Sequence, residues 1–149
     1  MPKIIHLPII AALAAGLCAP VAAAAQPADA IHVAADEVAT VNGVKTACTG
    51  VGKAKREDPR WKDFAVRIEA ASPEGDYLGG MTLNVADNKG TQVLSVTCGS
   101  PWLLMDLPPG AYKVTAWSGA RGPRTIDVRA SSGRQSRYVV AFPKPAPAS

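Results

Sequence analysis

The chain has 149 residues, 48% of them hydrophobic, with 16 Lys and Arg against 12 Asp and Glu and a formal net charge of +4. Enough apolar side chains are present to fill the core of one domain, which excludes an intrinsically disordered chain. The positive charge is mild and not gathered into a block, so the clustered cationic footprint of nucleic-acid binding is missing.

Residues 1–25 place one cation, Lys3, before an apolar run from Ile4 to Leu17 and end in alanines. A charged start, a short apolar core and an Ala-x-Ala site mark a secretory signal peptide, with cleavage expected near Ala25. Pro8 and Gly16 interrupt a run already short for a bilayer, so no stable membrane span is expected in the mature form. Cys18 raises lipoprotein anchoring as a rival, but Leu17 stands where a lipobox requires a small residue. The expected destination is the periplasm or the medium. Cleavage leaves 124 residues with a net charge of +3.

Residues 26–46 are small and polar and read as a flexible leader, with a short first strand near 38–45. In "CTGVGKAKREDPRWKDF", Gly50 and Gly52 mark a loop. Asp58-Pro59 is a helix-start signal, a capping side chain followed by proline at the first helical position. At most one short helical turn is expected, near residues 59–62. The period then changes to two: Phe64, Val66, Ile68 and Ala70 alternate with Ala65, Arg67 and Glu69, the pattern of a half-buried strand. Met81, Leu83 and Val85 repeat it, and "DNKG" closes a hairpin onto a strand carrying Val93, Leu94 and Val96. A short apolar piece runs from Trp102 to Leu107.

Pro108-Pro109-Gly110 cannot continue a helix, because proline presets φ and lacks an amide hydrogen while glycine accepts positive φ. A tight hairpin reversal is expected there, opening a strand in which Tyr112, Val114 and Ala116 face away from Lys113, Thr115 and Trp117. Two further strands fall near 124–130 and 135–142, and "PKPAPAS", residues 143–149, reads as a disordered tail. About seven short strands without a long amphipathic helix predict an all-β fold, an Ig-like or prealbumin-like antiparallel β-sandwich over residues 47–142. Within it, Cys48 and Cys98 form an even pair in an exported chain, which predicts a disulfide worth ~4 kcal/mol in the chain-entropy model. Two buried free thiols are the alternative.

The stretch "DYLGGMTLNVADNKGTQVLSVTCGSPWLLMDLPPGAYKVTAW" resembles the carboxypeptidase regulatory-like domains, relatives of the transthyretin-like and Cna-B-type sandwiches. "GVG…REDPRWKDFAVRIEAASPEGDYL" and "GSPWLLMDLPPGAYKV" are similar to small exported proteobacterial members of that group. The resemblance covers about residues 50–142 and implies a sandwich that serves as a folding, docking or binding module. It says little about activity, because such folds host unrelated functions.

Catalytic chemistry finds few candidates. His32 is the sole histidine after residue 25 and lies in the leader, so a nucleophile–His–acid arrangement is not expected. The transthyretin-like hydrolases carry several histidines and a C-terminal tetrapeptide that this sequence lacks. Glu57 with Asp58, Glu74 with Asp76, and Asp87 all fall in turn or cap contexts, where acids serve local hydrogen bonding. Neither "EGD" nor "DNKG" has calcium-loop spacing, and no metal or cofactor is expected.

Two surfaces admit a functional reading. Trp61, Trp102 and Trp117 are either core and loop cover or, if exposed and coplanar, a platform for a glycan or small ligand. Arg121, Arg124, Arg129, Arg134 and Arg137 mark the last two strands and would share one face if those strands pair. That face is either a solvated surface that discourages edge aggregation or a docking surface for an anionic partner. The reading is an exported, non-catalytic interaction or accessory module whose partner is an envelope protein or surface component.

Overall fold

In a computed structural model the described residues are 25–145, with Gly16 and Pro147 beside them. The expected signal peptide therefore lies almost wholly outside the described residues. The chain builds ten strands, β4, β5 and β8 among them with period-two alternation: β1 (Ile31–Val33), β2 (Val38–Val41), β3 (Val44–Thr49), β4 (Val66–Ala71), β5 (Met81–Asp87), β6 (Gln92–Cys98), β7 (Trp102–Met105), β8 (Gly110–Ser118), β9 (Arg121–Ala130) and β10 (Ser136–Ala141). One sheet has the order β1-β6-β5-β8-β9 and is called sheet A. The other, sheet B, has the order β10-β4-β7-β3-β2. The fold is an all-β sandwich.

The inward positions of both sheets meet in one core that includes Val66, Ile68, Leu83, Val96, Leu103 and Val114. Burying a side chain of this size contributes roughly 1.5–3 kcal/mol. The Cys48–Cys98 disulfide joins β3 to β6, with Cα atoms 5.6 Å apart, and so ties one sheet to the other.

The strands number ten rather than about seven, a helical turn at Lys53–Arg56 precedes the single one expected, and three further features differ from the sequence reading. First, the sheets are mixed rather than antiparallel, since β1 runs parallel to β6 and β10 parallel to β4. Both edge strands are distant in sequence from the strands they join, so no hairpin constrains their direction. Second, residues 26–46 carry β1, β2 and the start of β3. The overlooked signal is Asn42-Gly43, both at positive φ (49° and 78°), which forms a two-residue turn between β2 and β3. Third, Pro108-Pro109-Gly110 carries the chain from β7 in sheet B to β8 in sheet A, so it is a crossover between layers and not a hairpin. The prolines offer no amides for a hairpin ladder. Instead, the Tyr112 hydroxyl donates to the Pro108 carbonyl at 2.6 Å and fixes the corner.

Between β3 and β4 the chain makes one helical turn, α1 (Lys53–Arg56), and a 3₁₀ turn at Pro59–Asp63. The Asp58 side chain accepts from the Arg60 amide, as its capping role demands. Arg60 also forks onto this carboxylate and holds it below its ordinary value of 3.8.

Candidate interaction face

Sheet B has two different halves on its outer surface. Pairing sets two side-chain rows across it, one through Arg137, Arg67, Leu104 and Ala47, the next through Val139, Glu69, Trp102 and Thr49. Over β3 and β7 the α1 segment and the 3₁₀ turn fold back. Trp61 and Phe64 bury against Ala47 and Leu104 there, forming a second small core. Trp61 Nε1 donates to the Lys55 carbonyl, and the Gln135 amide donates to the carbonyls of Trp61 and Phe64, so the cover is pinned at both ends.

Over β4 and β10 the described residues form no such cover, and charges take its place. Glu69 is only 1% exposed although it points away from the core. Arg67 Nε lies 3.6 Å from one of its carboxylate oxygens, and Arg137 Nη2 lies 2.5 Å from the other. The Arg67 guanidinium stacks over the Trp102 ring at 4.2 Å, Trp102 meets Tyr77 edge-on, and Arg56 sits over Tyr77. Cation–π contacts of this kind suit arginine, whose planar guanidinium is weakly hydrated. Gly50 permits the arrangement: its φ is 108°, and a Cβ there would fall 2.7 Å from Trp102 Cγ.

The hydrogen bonding of this cluster is incomplete. Among the described residues, four buried side-chain polar atoms lack a hydrogen-bond partner: Arg67 Nε, both Glu69 oxygens and Trp102 Nε1. All four belong to this one face. The ion pairs are close enough to attract but do not meet in hydrogen-bond geometry. Native proteins satisfy most buried polar groups, so such a concentration needs a reason. Around it, Tyr77 and Val139 are 44% and 49% exposed, and Arg137 keeps 54% of its side chain in solvent. Two guanidinium groups share one carboxylate, leaving net positive charge beside exposed apolar surface.

The other expected site residues are dispersed. Arg121, Arg124 and Arg129 lie on β9, Arg137 on β10, and Arg134 in the turn between them. Since β9 and β10 are edges of different sheets, they do not pair, and the shared arginine face does not form. Arg121 donates instead to the Phe142 carbonyl. Trp61, Trp102 and Trp117 are all buried and lie outside the central core. Trp117 does face away from that core, as its parity implied, but Gly122 passes close above it. A Cβ on Gly122 would lie 3.3 Å from the indole Cδ1. An exposed aromatic platform is therefore corrected to three covered indoles.

A hollow of about 700 Å³ opens where β8, β9 and the β5–β6 turn meet, lined by Asp87, Tyr112, Lys113, Asp127, Arg129 and Tyr138. Most of its polar groups are engaged locally. Lys113 pairs with Asp127 at 3.0 Å, Asp87 accepts the Lys89 and Thr91 amides, and the Tyr138 hydroxyl accepts the Arg129 amide. Burial, aided by Asp87, raises the Tyr112 phenol above its ordinary value of 10.0. A second hollow of about 440 Å³ lies under Pro108 and Pro109, with Lys62, Asp63, Asp106 and Arg134 on its walls.

Sequence reasoning missed Glu69, Arg67, Tyr77 and Val139 as a group. Alternation did place Arg67 and Glu69 outward, but the arrival of β10 beside β4 is what buries the carboxylate.

No family model matches the chain, and neither does a curated protein. Among solved structures, the major pilin subunit of Bacillus cereus is similar over 53% of this chain, with 16% sequence identity and a TM-score of 0.43. That match spans 29% of the pilin chain. No helix among the described residues is long and apolar enough to cross a membrane.

Proposed function

We propose that the protein is an exported, non-catalytic docking module of the carboxypeptidase regulatory-like kind, working in the periplasm through the outer surface of sheet B around Glu69. The observation that carries this reading is the buried Glu69 carboxylate, ion-paired to Arg67 and Arg137 outside hydrogen-bond geometry, beneath an exposed, positively charged and partly apolar patch. Interfaces favour arginine and aromatic anchors beside apolar surface, and this patch presents Arg137 and Tyr77 over the partly buried Arg67 and the buried Trp102. The intersheet disulfide and the signal-like first 25 residues support export. Crosslinking in intact cells, followed by mass spectrometry, tests the proposal. One dominant envelope partner, lost in Arg137→Glu and retained in Arg124→Glu, is expected. Equal loss in both variants, or no enriched partner, overturns it.

A second reading, small-ligand binding, rests on the hollow beside Tyr112 and Tyr138. A screen of small acids and sugars by thermal shift tests it: binding abolished by Arg129→Ala would favour it over docking.

A further inference from the structure

Strand β10 is the edge of sheet B next to the cluster. The amides of Ser136 and Phe142 donate to the carbonyls of Ala65 and Ala71 on the β4 side. Since backbone groups alternate along a strand, Arg137, Val139 and Ala141 turn their N–H and C=O groups to the open side, where no strand among the described residues pairs with them. The neighbouring edge, β9, is treated differently, because the Tyr138 hydroxyl takes the Arg129 amide. Free ladder groups and the docking patch thus coincide on one strand.

We infer that β10 accepts an extended, amphipathic acidic segment of a partner protein as an additional strand, an inference that rests on the docking reading above. Strand addition supplies main-chain hydrogen bonds, and alternate side chains supply specificity. On the outer side the added strand would meet Arg137, whose close carboxylate among the described residues is the buried Glu69, so acidic residues suit that side. On the other side it would meet Tyr138, which is partly buried against the core, so apolar residues suit that one. A second copy of this chain is the poorer occupant, because it would bring another Arg121, Arg129 and Arg137 to a seam already rich in cations.

The test is an amide-resolved NMR titration and hydrogen-exchange measurement on the exported chain, using a short capped peptide that alternates Glu and Val. Exchange at the Val139 and Ala141 amides should slow about tenfold or more, while Val140, already bonded to β4, changes little. Arg137→Glu should weaken binding about tenfold. A peptide N-methylated at alternate residues keeps its charges but loses its ladder donors, and it should not bind. Equal binding of the N-methylated peptide, or of a Lys-for-Glu peptide, overturns strand addition while leaving the docking face standing. No binding of the Glu–Val peptide overturns the inference, whereas the docking reading falls only if the crosslinking result fails. Concentration-dependent dimers that protect the same amides without peptide would make a second copy the occupant and overturn it too.

Discussion

The two outer faces of the sandwich solve the same problem in opposite ways. Sheet A carries polar pairs on its outside: Lys113 with Asp127 and Thr115 with Thr125 in water, and the part-buried Asn84 with Ser95. Each pair joins neighbouring strands through a hydrogen bond. Sheet B instead places a buried carboxylate and three arginines around Trp102 and Tyr77, with their hydrogen bonds unfinished. Surface ion pairs contribute little, whereas a buried charge depends heavily on its partners. The contrast separates a face built for solvent from one with features of a contact surface.

Four substitutions sharpen this contrast, beginning with the largest effect. Glu69→Ala leaves Arg67, whose side chain is 21% exposed, without its carboxylate. It should cost about 3 kcal/mol in urea denaturation. A loss within experimental error would make sheet B's face as solvated as sheet A's. Gly50→Ala forces a Cβ against Trp102 at a positive φ. About 2 kcal/mol should be lost, with an altered Trp102 fluorescence signal.

Tyr112→Phe removes the hydroxyl that fixes the crossover and should cost about 1 kcal/mol at neutral pH. Its pH dependence adds a sign. The folded phenol titrates above its ordinary 10.0, so the unfolded chain ionises first as pH rises. The wild type should therefore lose this contribution above pH 10, and Tyr112→Phe should not show that loss. The smallest effect belongs to sheet A. Lys113→Ala breaks an exposed pair and should change stability by less than ~0.5 kcal/mol.

Much of the fold was legible in the sequence because period-two alternation marks β4, β5 and β8 and the second half of β9. The Cys48–Cys98 staple and the Asp58-Pro59 turn were also readable, since each depends on residue type in a local context or compartment. What escaped was long-range pairing. Nothing in "VRIEAA" and "SRYVVA" states that they lie side by side in parallel, yet that register makes Arg67 and Arg137 neighbours and buries Glu69. Trp117 shows the same limit: its outward parity was correct, but the close passage of Gly122 decides its burial. The arginines of β9 and β10 were grouped by sequence proximity, and sheet assignment separated them.

The most direct test of the docking face places a photo-crosslinking amino acid at Val139 on sheet B or at Thr115 on sheet A, in cells that export the protein. Both positions are reachable on the surface, so unselective contact would label them alike. The account predicts a dominant adduct of defined mass from Val139, absent from Thr115 and lost when Arg137→Glu is added. The same adduct pattern from both positions, or an adduct from Thr115 alone, would contradict it.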